Sequence, residues 1–223
     1  MKVRVLDTGY VSTVERTGSG MNTMELPAKT QNRTELDRRL SVAPMMDRTD
    51  RHDRFFLRQI SPSALLYTEM ITTGAILYGD KERFLAFDPS EHPLALQLGG
   101  SDASQLAECA SIGEEWGYDE INLNVGCPSN RVQNARFGAC LMKEPNLVAD
   151  CLTEMMASCS IPVTIKTRIG YDDVEDYESL KNFIQILKKT GVKTFVIHAR
   201  KAMLGKFTPK QNLNIPPLKY DIV

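Results

Sequence analysis

Asn122-Leu123-Asn124-Val125-Gly126-Cys127-Pro128-Ser129-Asn130 reads as a buried strand that halts on a glycine and presents a cysteine at its end. Ile121, Leu123 and Val125 alternate with Asn122 and Asn124, so one face of the strand is apolar and the other carries two amides. Amides buried on such a face need hydrogen-bond partners. Gly126 and Pro128 bracket Cys127 with residues that end a strand and fix the loop after it. Taken alone, Gly-Cys-Pro is as consistent with a structural cysteine as with a reactive one, and the rest of the chain has to decide.

Working outward, Pro145 opens a helix through Leu147, Cys151 and Met155, and Pro162–Arg168 is the next strand. Tyr177, Leu180, Ile184 and Leu187 form the apolar stripe of a helix that stops at Gly191, before a strand over Thr194–His198. Upstream, Pro93–Gly100 is a strand, and Ser101 or Asp102 caps a helix that closes at Gly117. Ala64–Thr68 is a strand followed by Glu69 and a short helical stretch. Ser41–Met46 is another, leading into Asp47–Asp50, where Asp or Thr caps a helix through Ile60. Residues 1–38 are polar, without sustained periodicity, and are expected to form a flexible extension.

Strand and helix alternate throughout, so the strands are parallel with right-handed crossovers, in an α/β barrel or a doubly wound sheet. Strand phase chooses between them. Gln97, Asn124, Lys166 and His198 each sit near the C-terminal end of a strand, out of phase with its most apolar residues. A barrel places all four on the interior face at its C-terminal rim, where active sites are built; a doubly wound sheet spreads them over two helical layers. The expected fold is therefore a (β/α)8 barrel. Such a barrel takes about 250 residues, so six strands before Val223 imply a C-terminally truncated one spanning residues 39–223.

Composition narrows the function classes. With 42% hydrophobic and 25% charged residues the chain has the balance of an ordinary globular protein, and no apolar run approaches the roughly 18 residues of a membrane helix. No secretory signal opens it, and the acidic residues of the first 40 positions fit a transit peptide poorly, so a cytoplasmic or organellar location is expected. Cys109, Cys127, Cys140, Cys151 and Cys159 lack a CxxC or Cys/His metal spacing, which argues for reduced thiols and no metal site. The net charge of −1 means that any contact with nucleic acid must come from a local basic cluster. Arg200, Lys201, Lys206 and Lys210 around Phe207 form one, although such runs are more often solvated surface.

The runs VAPMMD (42–47), YTEM (67–70), LALQLGG (94–100), EINLNVGCPS (120–129), RFGACLM (136–142), TIKTRIG (164–170) and IHARKA (197–202) together resemble the tRNA-dihydrouridine synthases, closest to their A subfamily. The resemblance spans about residues 40–220. It implies a flavin mononucleotide (FMN) cofactor, reduced by NADPH, that saturates the C5–C6 bond of a uridine in the tRNA D arm, in an enzyme expected to be a monomer. That fits the chemistry, because reducing a pyrimidine double bond needs a hydride donor and an acid, and no side chain supplies hydride.

By the same resemblance Cys127 is the proton donor. Pro44, Met45, Met46, Gln97, Lys166 and His198 hold the flavin, Asn124 lies near the substrate uridine, and Arg131, Arg136, Arg200, Lys201 and Lys210 face the RNA. Each residue also has a plainer reading: core filling for the methionines, strand-end capping for Asn124, and an ion pair of Lys166 with Glu69. A thiolate nucleophile is the competing role for Cys127 and would call on His198 to lower its pKa. At the level of the whole chain, the alternatives are a non-catalytic RNA-binding or partner-dependent piece and a flavin-dependent oxidoreductase of free pyrimidines. Ala135 stands where the family commonly has glycine, so a stiffer loop after Cys127 is expected.

Overall fold

The computed structural model describes residues 36–174 and 177–223. Its elements run α1 (Arg51–Ile60), β1 (Leu66–Thr72), α2 (Thr73–Tyr78), α3 (Lys81–Leu85), β2 (Leu94–Gly99), α4 (Ala103–Glu115), β3 (Glu120–Val125), α5 (Asn130–Asn134), α6 (Pro145–Ser158), β4 (Val163–Arg168), α7 (Tyr177–Lys188), β5 (Phe195–His198) and α8 (Pro209–Asn214). Local chemistry sets most boundaries. Asp50 accepts from the backbone N–H groups of His52 and Asp53 to cap α1, Thr72 and Asp102 cap α2 and α4, and Pro145 opens α6. Gly117, at φ +94°, takes the left-handed position that ends α4.

The strands form one parallel sheet in the order β1-β2-β3-β4-β5. A doubly wound sheet reverses its strand order at a switch point; this one advances one strand at a time, as barrel winding does. Its two faces are chemically distinct. Leu94, Leu96 and Leu98 of β2, with Ile121, Leu123 and Val125 of β3, are fully buried in the cluster that holds Cys109 of α4, Leu152 of α6 and Leu187 of α7. Each leucine removed from water there stabilises the fold by about 2 kcal/mol. The opposite face carries a small apolar group, Leu65, Tyr67 and Ala95, and above it a row of polar side chains. Among the described residues, the helices that share this core pack on its face of the sheet, and the outer edge of β5 pairs with no further strand.

Two expectations change. The segment 41–46 is not a full strand but a single parallel bridge between Ser41 and Leu65, with the Val42 N–H on the Leu65 carbonyl at 2.9 Å. Pro44 has no N–H to continue the ladder, and Met45 already enters a turn in which its carbonyl accepts from Arg48 and Thr49. Tyr177 is 57% exposed and lies outside the buried stripe of α7, which is Leu180, Phe183, Ile184 and Leu187; the ring sits 5.4 Å from the Lys181 ammonium instead. The expected extension over residues 1–38 falls mainly on 1–35, outside the described residues, while Arg38 is bonded to Glu120 in the sheet.

Helix α1 is inverted for a packed helix: Arg54 and Arg58 are buried while Phe55 and Phe56 are exposed. The arginines are held by specific partners. Arg54 Nε lies 2.5 Å from Glu91 Oε2 and its Nη1 donates to the Thr49 carbonyl, while Arg58 donates to the carbonyls of Ser61, Glu91 and Pro93. Removing one partner of a buried ion pair strands the other charge. Arg54→Met should therefore destabilise the chain by about 3–5 kcal/mol in urea unfolding, whereas Arg51→Met, at an exposed position of the same helix, should change it by less than about 0.5 kcal/mol.

Candidate active site

Parallel pairing keeps the inward side chains of neighbouring strands level. Gln97 lies opposite Asn122 and Asn122 opposite Thr164; Asn124 lies opposite Lys166 and Arg168 opposite His198. The C-terminal ends of β2 to β5 therefore hold a continuous polar rim. Buried amides on it are satisfied by one another: Asn124 Nδ2 donates to Gln97 Oε1 at 2.8 Å, and Gln97 Nε2 donates to Asn122 Oδ1 at 2.7 Å. Gln97 is 1% exposed and keeps a single N–H outside this network.

Cys127 follows β3 on a loop pinned from several sides. The Asn124 Oδ1 accepts from the backbone N–H groups of both Gly126 and Cys127 at 3.0 Å, an Asx turn that fixes the strand exit. The Cys127 carbonyl accepts from Ala139 N–H at 2.9 Å, and Arg168 Nε donates to the Gly126 carbonyl at 2.8 Å. Gly138 allows the close approach. It sits at φ +76°, and a Cβ there would stand 2.5 Å from Val132 Cγ1 and 2.7 Å from the Cys127 carbonyl oxygen. Ala135 takes an ordinary φ of −87°, which alanine adopts without strain, and the left-handed residue of this loop is Arg136 at φ +57°.

Burial pushes the Cys109 thiol up to about 12 and the Cys151 thiol up to about 11, which makes both inert, and it also raises Cys140; Cys127, like Cys140 and Cys159, is half-buried, and it stands at the rim. Around it the charge is of one sign. Desolvation, then the neighbouring Arg168 guanidinium, lowers Lys166 to about 8, with the Cys127 thiol opposing the shift. Desolvation also brings Arg168 down to about 10. His198, desolvated and surrounded by Arg168, Lys166 and Arg200, falls to about 3 and is neutral near pH 7. It brings no imidazolium charge to the thiol; the cations coupled to Cys127 are Lys166 and Arg168. The ion pair of Lys166 with Glu69 is not formed; among the described residues the Lys166 ammonium has no hydrogen-bond or ion-pair partner.

The remaining expected residues divide by position. Arg200 is half-buried and donates to the Pro216 carbonyl at 2.7 Å, so it braces the chain after β5. Lys201 is half-buried, and its carbonyl accepts from Arg168 at 3.2 Å. Lys210, Arg131 and Arg136 are exposed, the last 3.6 Å from Glu144. Pro44, Met45 and Met46 follow the bridge on the outer edge of β1, so β1, β2 and β3 separate them from Lys166; Met45 and Met46 are exposed. Two residues were missed. Arg168 shares the phase of Lys166 two positions earlier, a signal legible by counting. Glu120, two before Asn122, opens the inward face of β3, fully buried.

Two outcomes follow from this geometry. Gly138→Ala should cost about 1–3 kcal/mol, since it adds left-handed strain and forces the Cys127 carbonyl aside, and should accelerate iodoacetamide alkylation of Cys127 relative to Cys140 as read by peptide mass mapping. Lys166→Met should stabilise the chain. The buried ammonium opposes folding in full below pH of about 8, where folded and unfolded chains are both protonated, and the penalty fades toward 10.5 because the folded lysine loses its proton first. A gain of about 1–3 kcal/mol at pH ~7, shrinking by pH ~9.5, is expected in urea unfolding.

Comparison with known proteins places this rim in a family. The dihydrouridine synthase (Dus) family model matches residues 41–223. Curated proteins named tRNA-dihydrouridine(20/20a) synthase match at high identity. That of Synechocystis is 60% identical over 82% of this chain and 55% of its own length; that of Vibrio parahaemolyticus is 61% identical over 82% and 56%; that of Pseudomonas syringae is 56% identical over 88% and 59%. The chain thus spans little more than half the length of the curated relatives it matches. With a match across most of its length and the cysteine loop, lysine and histidine standing on successive strand ends, the chain belongs to the dihydrouridine synthase family.

Proposed function

We propose that this chain carries the acid-bearing half of a flavin-dependent active site that reduces the C5–C6 bond of a uridine in the D arm of tRNA. The observation that carries the reading is the pinned half-buried thiol of Cys127 on a rim whose other ionisable groups are cationic or neutral. Bound FMN, reduced by NADPH, supplies the hydride that no side chain can. Cys127 delivers its proton to C5 as hydride reaches C6, and the thiolate regains a proton from water. The Asn124 turn holds the thiol in place, so little ordering remains for the moment of reaction.

The residues present fit such a cofactor. Lys166, unpaired among the described residues and flanked by Arg168, offers its charge to an electron-rich ring edge, and a reduced flavin would relieve the cost of that charge. Neutral His198 can donate or accept one hydrogen bond, and Gln97 has one N–H left to give. Arg131, Arg136 and Lys210, all exposed, with Lys201, would neutralise RNA phosphates in this reading, and binding should weaken as salt rises. That the relatives are tRNA-dihydrouridine(20/20a) synthases supports tRNA as the substrate class.

Purified 223-residue chain, loaded with FMN and freed of unbound cofactor by gel filtration, is expected to be yellow, and to form dihydrouridine once NADPH and unmodified tRNA are added. Cys127→Ala should retain flavin absorbance but lose reduction by at least about 100-fold. Unchanged dihydrouridine yield from that variant would remove the thiol from the mechanism. A colourless, inactive wild-type chain would overturn the proposal for this polypeptide, and turnover of free uracil without tRNA would favour the free-pyrimidine alternative.

A further inference from the structure

Beneath the rim runs a hydrogen-bonded file of side chains whose links all point one way. The backbone N–H groups of Gly126 and Cys127 donate to Asn124 Oδ1. Asn124 Nδ2 donates to Gln97 Oε1 at 2.8 Å, Gln97 Nε2 to Asn122 Oδ1 at 2.7 Å, Asn122 Nδ2 to Thr164 Oγ1 at 2.8 Å, and the Thr164 hydroxyl to Glu120 Oε1 at 2.6 Å. Glu120, Asn122, Gln97 and Thr164 are at most 1% exposed, so water has little access to any link. The file descends the inward face from the Cys127 loop to the first residue of β3.

Its direction is fixed by both ends. A peptide N–H can only donate, and an ionised carboxylate can only accept. Each amide between them has one donating and one accepting end, and the hydroxyl has one proton to give. Reversing any single amide brings two donors or two acceptors face to face in a buried site, which costs about 1–3 kcal/mol. Arg38 Nε donates to Glu120 Oε2 at 3.1 Å with Nη2 also in contact, and Tyr67 OH donates to Oε1 at 2.8 Å, so both carboxylate oxygens face donors.

We infer that Glu120 is a positioning residue for the Cys127 loop: by terminating this file it obliges Asn124 to present Oδ1, rather than its NH2, to the loop's N–H groups. Its link to catalysis rests on the reading of Cys127 as the proton donor; the positioning itself does not. Thr164 is the joint through which the effect passes, and it touches neither the thiol nor the rim cations.

The test is amide hydrogen exchange followed by NMR on the whole chain without cofactor or tRNA, so its result is independent of whether Cys127→Ala loses activity. Thr164→Val keeps the β-branched shape and removes the joint. Exchange at Gly126 and Cys127 should accelerate at least about tenfold while Leu123 on the same strand changes less than about twofold. Thr164→Ser, which restores the hydroxyl, should return both amides to within about twofold of wild type. Glu120→Gln, which can donate as well as accept, should accelerate the same two amides and decides the matter if Thr164→Val does not fold. Wild-type exchange at Gly126 and Cys127 in a folded variant, or equal acceleration of Leu123, would overturn the inference.

Discussion

A carboxylate with no exposure to water sets the terms for this sheet. Glu120 stands at the start of the central strand on the face opposite the helical core, where an uncompensated charge would cost several kcal/mol. Compensation comes from three separate parts of the chain: Arg38 ahead of the first bridge, Tyr67 on β1 and Thr164 on β4. The segment around Arg38 thus belongs to the fold although its backbone pairs with the sheet at a single bridge. The choice of an acid there also spreads upward along its own strand, since Asn122 and Asn124 each pass a hydrogen bond along.

The strand pattern made the general architecture legible. Two-residue alternation in the Leu94–Gly99, Glu120–Val125 and Val163–Arg168 segments separates an apolar face from a polar one, and the structure assigns the apolar face to the helical layer and the polar one to the opposite side of the sheet. The same alternation contains Glu120 and Arg168, each two residues from Asn122 or Lys166 and in phase with it, so a signal for both is present in the sequence. Arg38 carried no such signal: a polar residue in a polar segment says nothing about a partner 82 positions away. Ser41–Met46 was misjudged because apolarity was read without the proline, whose missing N–H leaves one bridge. At Tyr177 spacing alone suggested a buried position, but the chain turns that ring toward Lys181 and solvent.

The rim itself shows a second kind of constraint. Lys166, Arg168 and Arg200 gather around His198 with no carboxylate among them, and their mutual repulsion adds to desolvation in lowering Lys166 and His198. Arg168 and Arg200 ease this by donating to backbone carbonyls, of Gly126, Lys201 and Pro216, which also tie the loops after β3 and β5 together. Lys166 has no such outlet. A positive group retained at a cost to stability, at the end of a strand beside a half-buried thiol, is what a binding site for an electron-rich ligand requires and what a purely structural rim would avoid.

Both constraints meet at Asn124. Its carbonyl oxygen ends the strand by holding two loop N–H groups, and its amide nitrogen heads the file that leads down to Glu120. Strand-end capping and proximity to a substrate are therefore not rival descriptions of this residue, because the capped loop is the one that presents Cys127. Replacing Asn124 would disturb the loop, the file and any direct contact with a uridine at once, so a loss of activity there could not be assigned to one of them. Thr164 separates these effects: it lies one strand away, in the same hydrogen-bonded line, and deep enough that no substrate reaches it. The separation between the buried carboxylate and the loop that presents Cys127 is what makes the two effects resolvable.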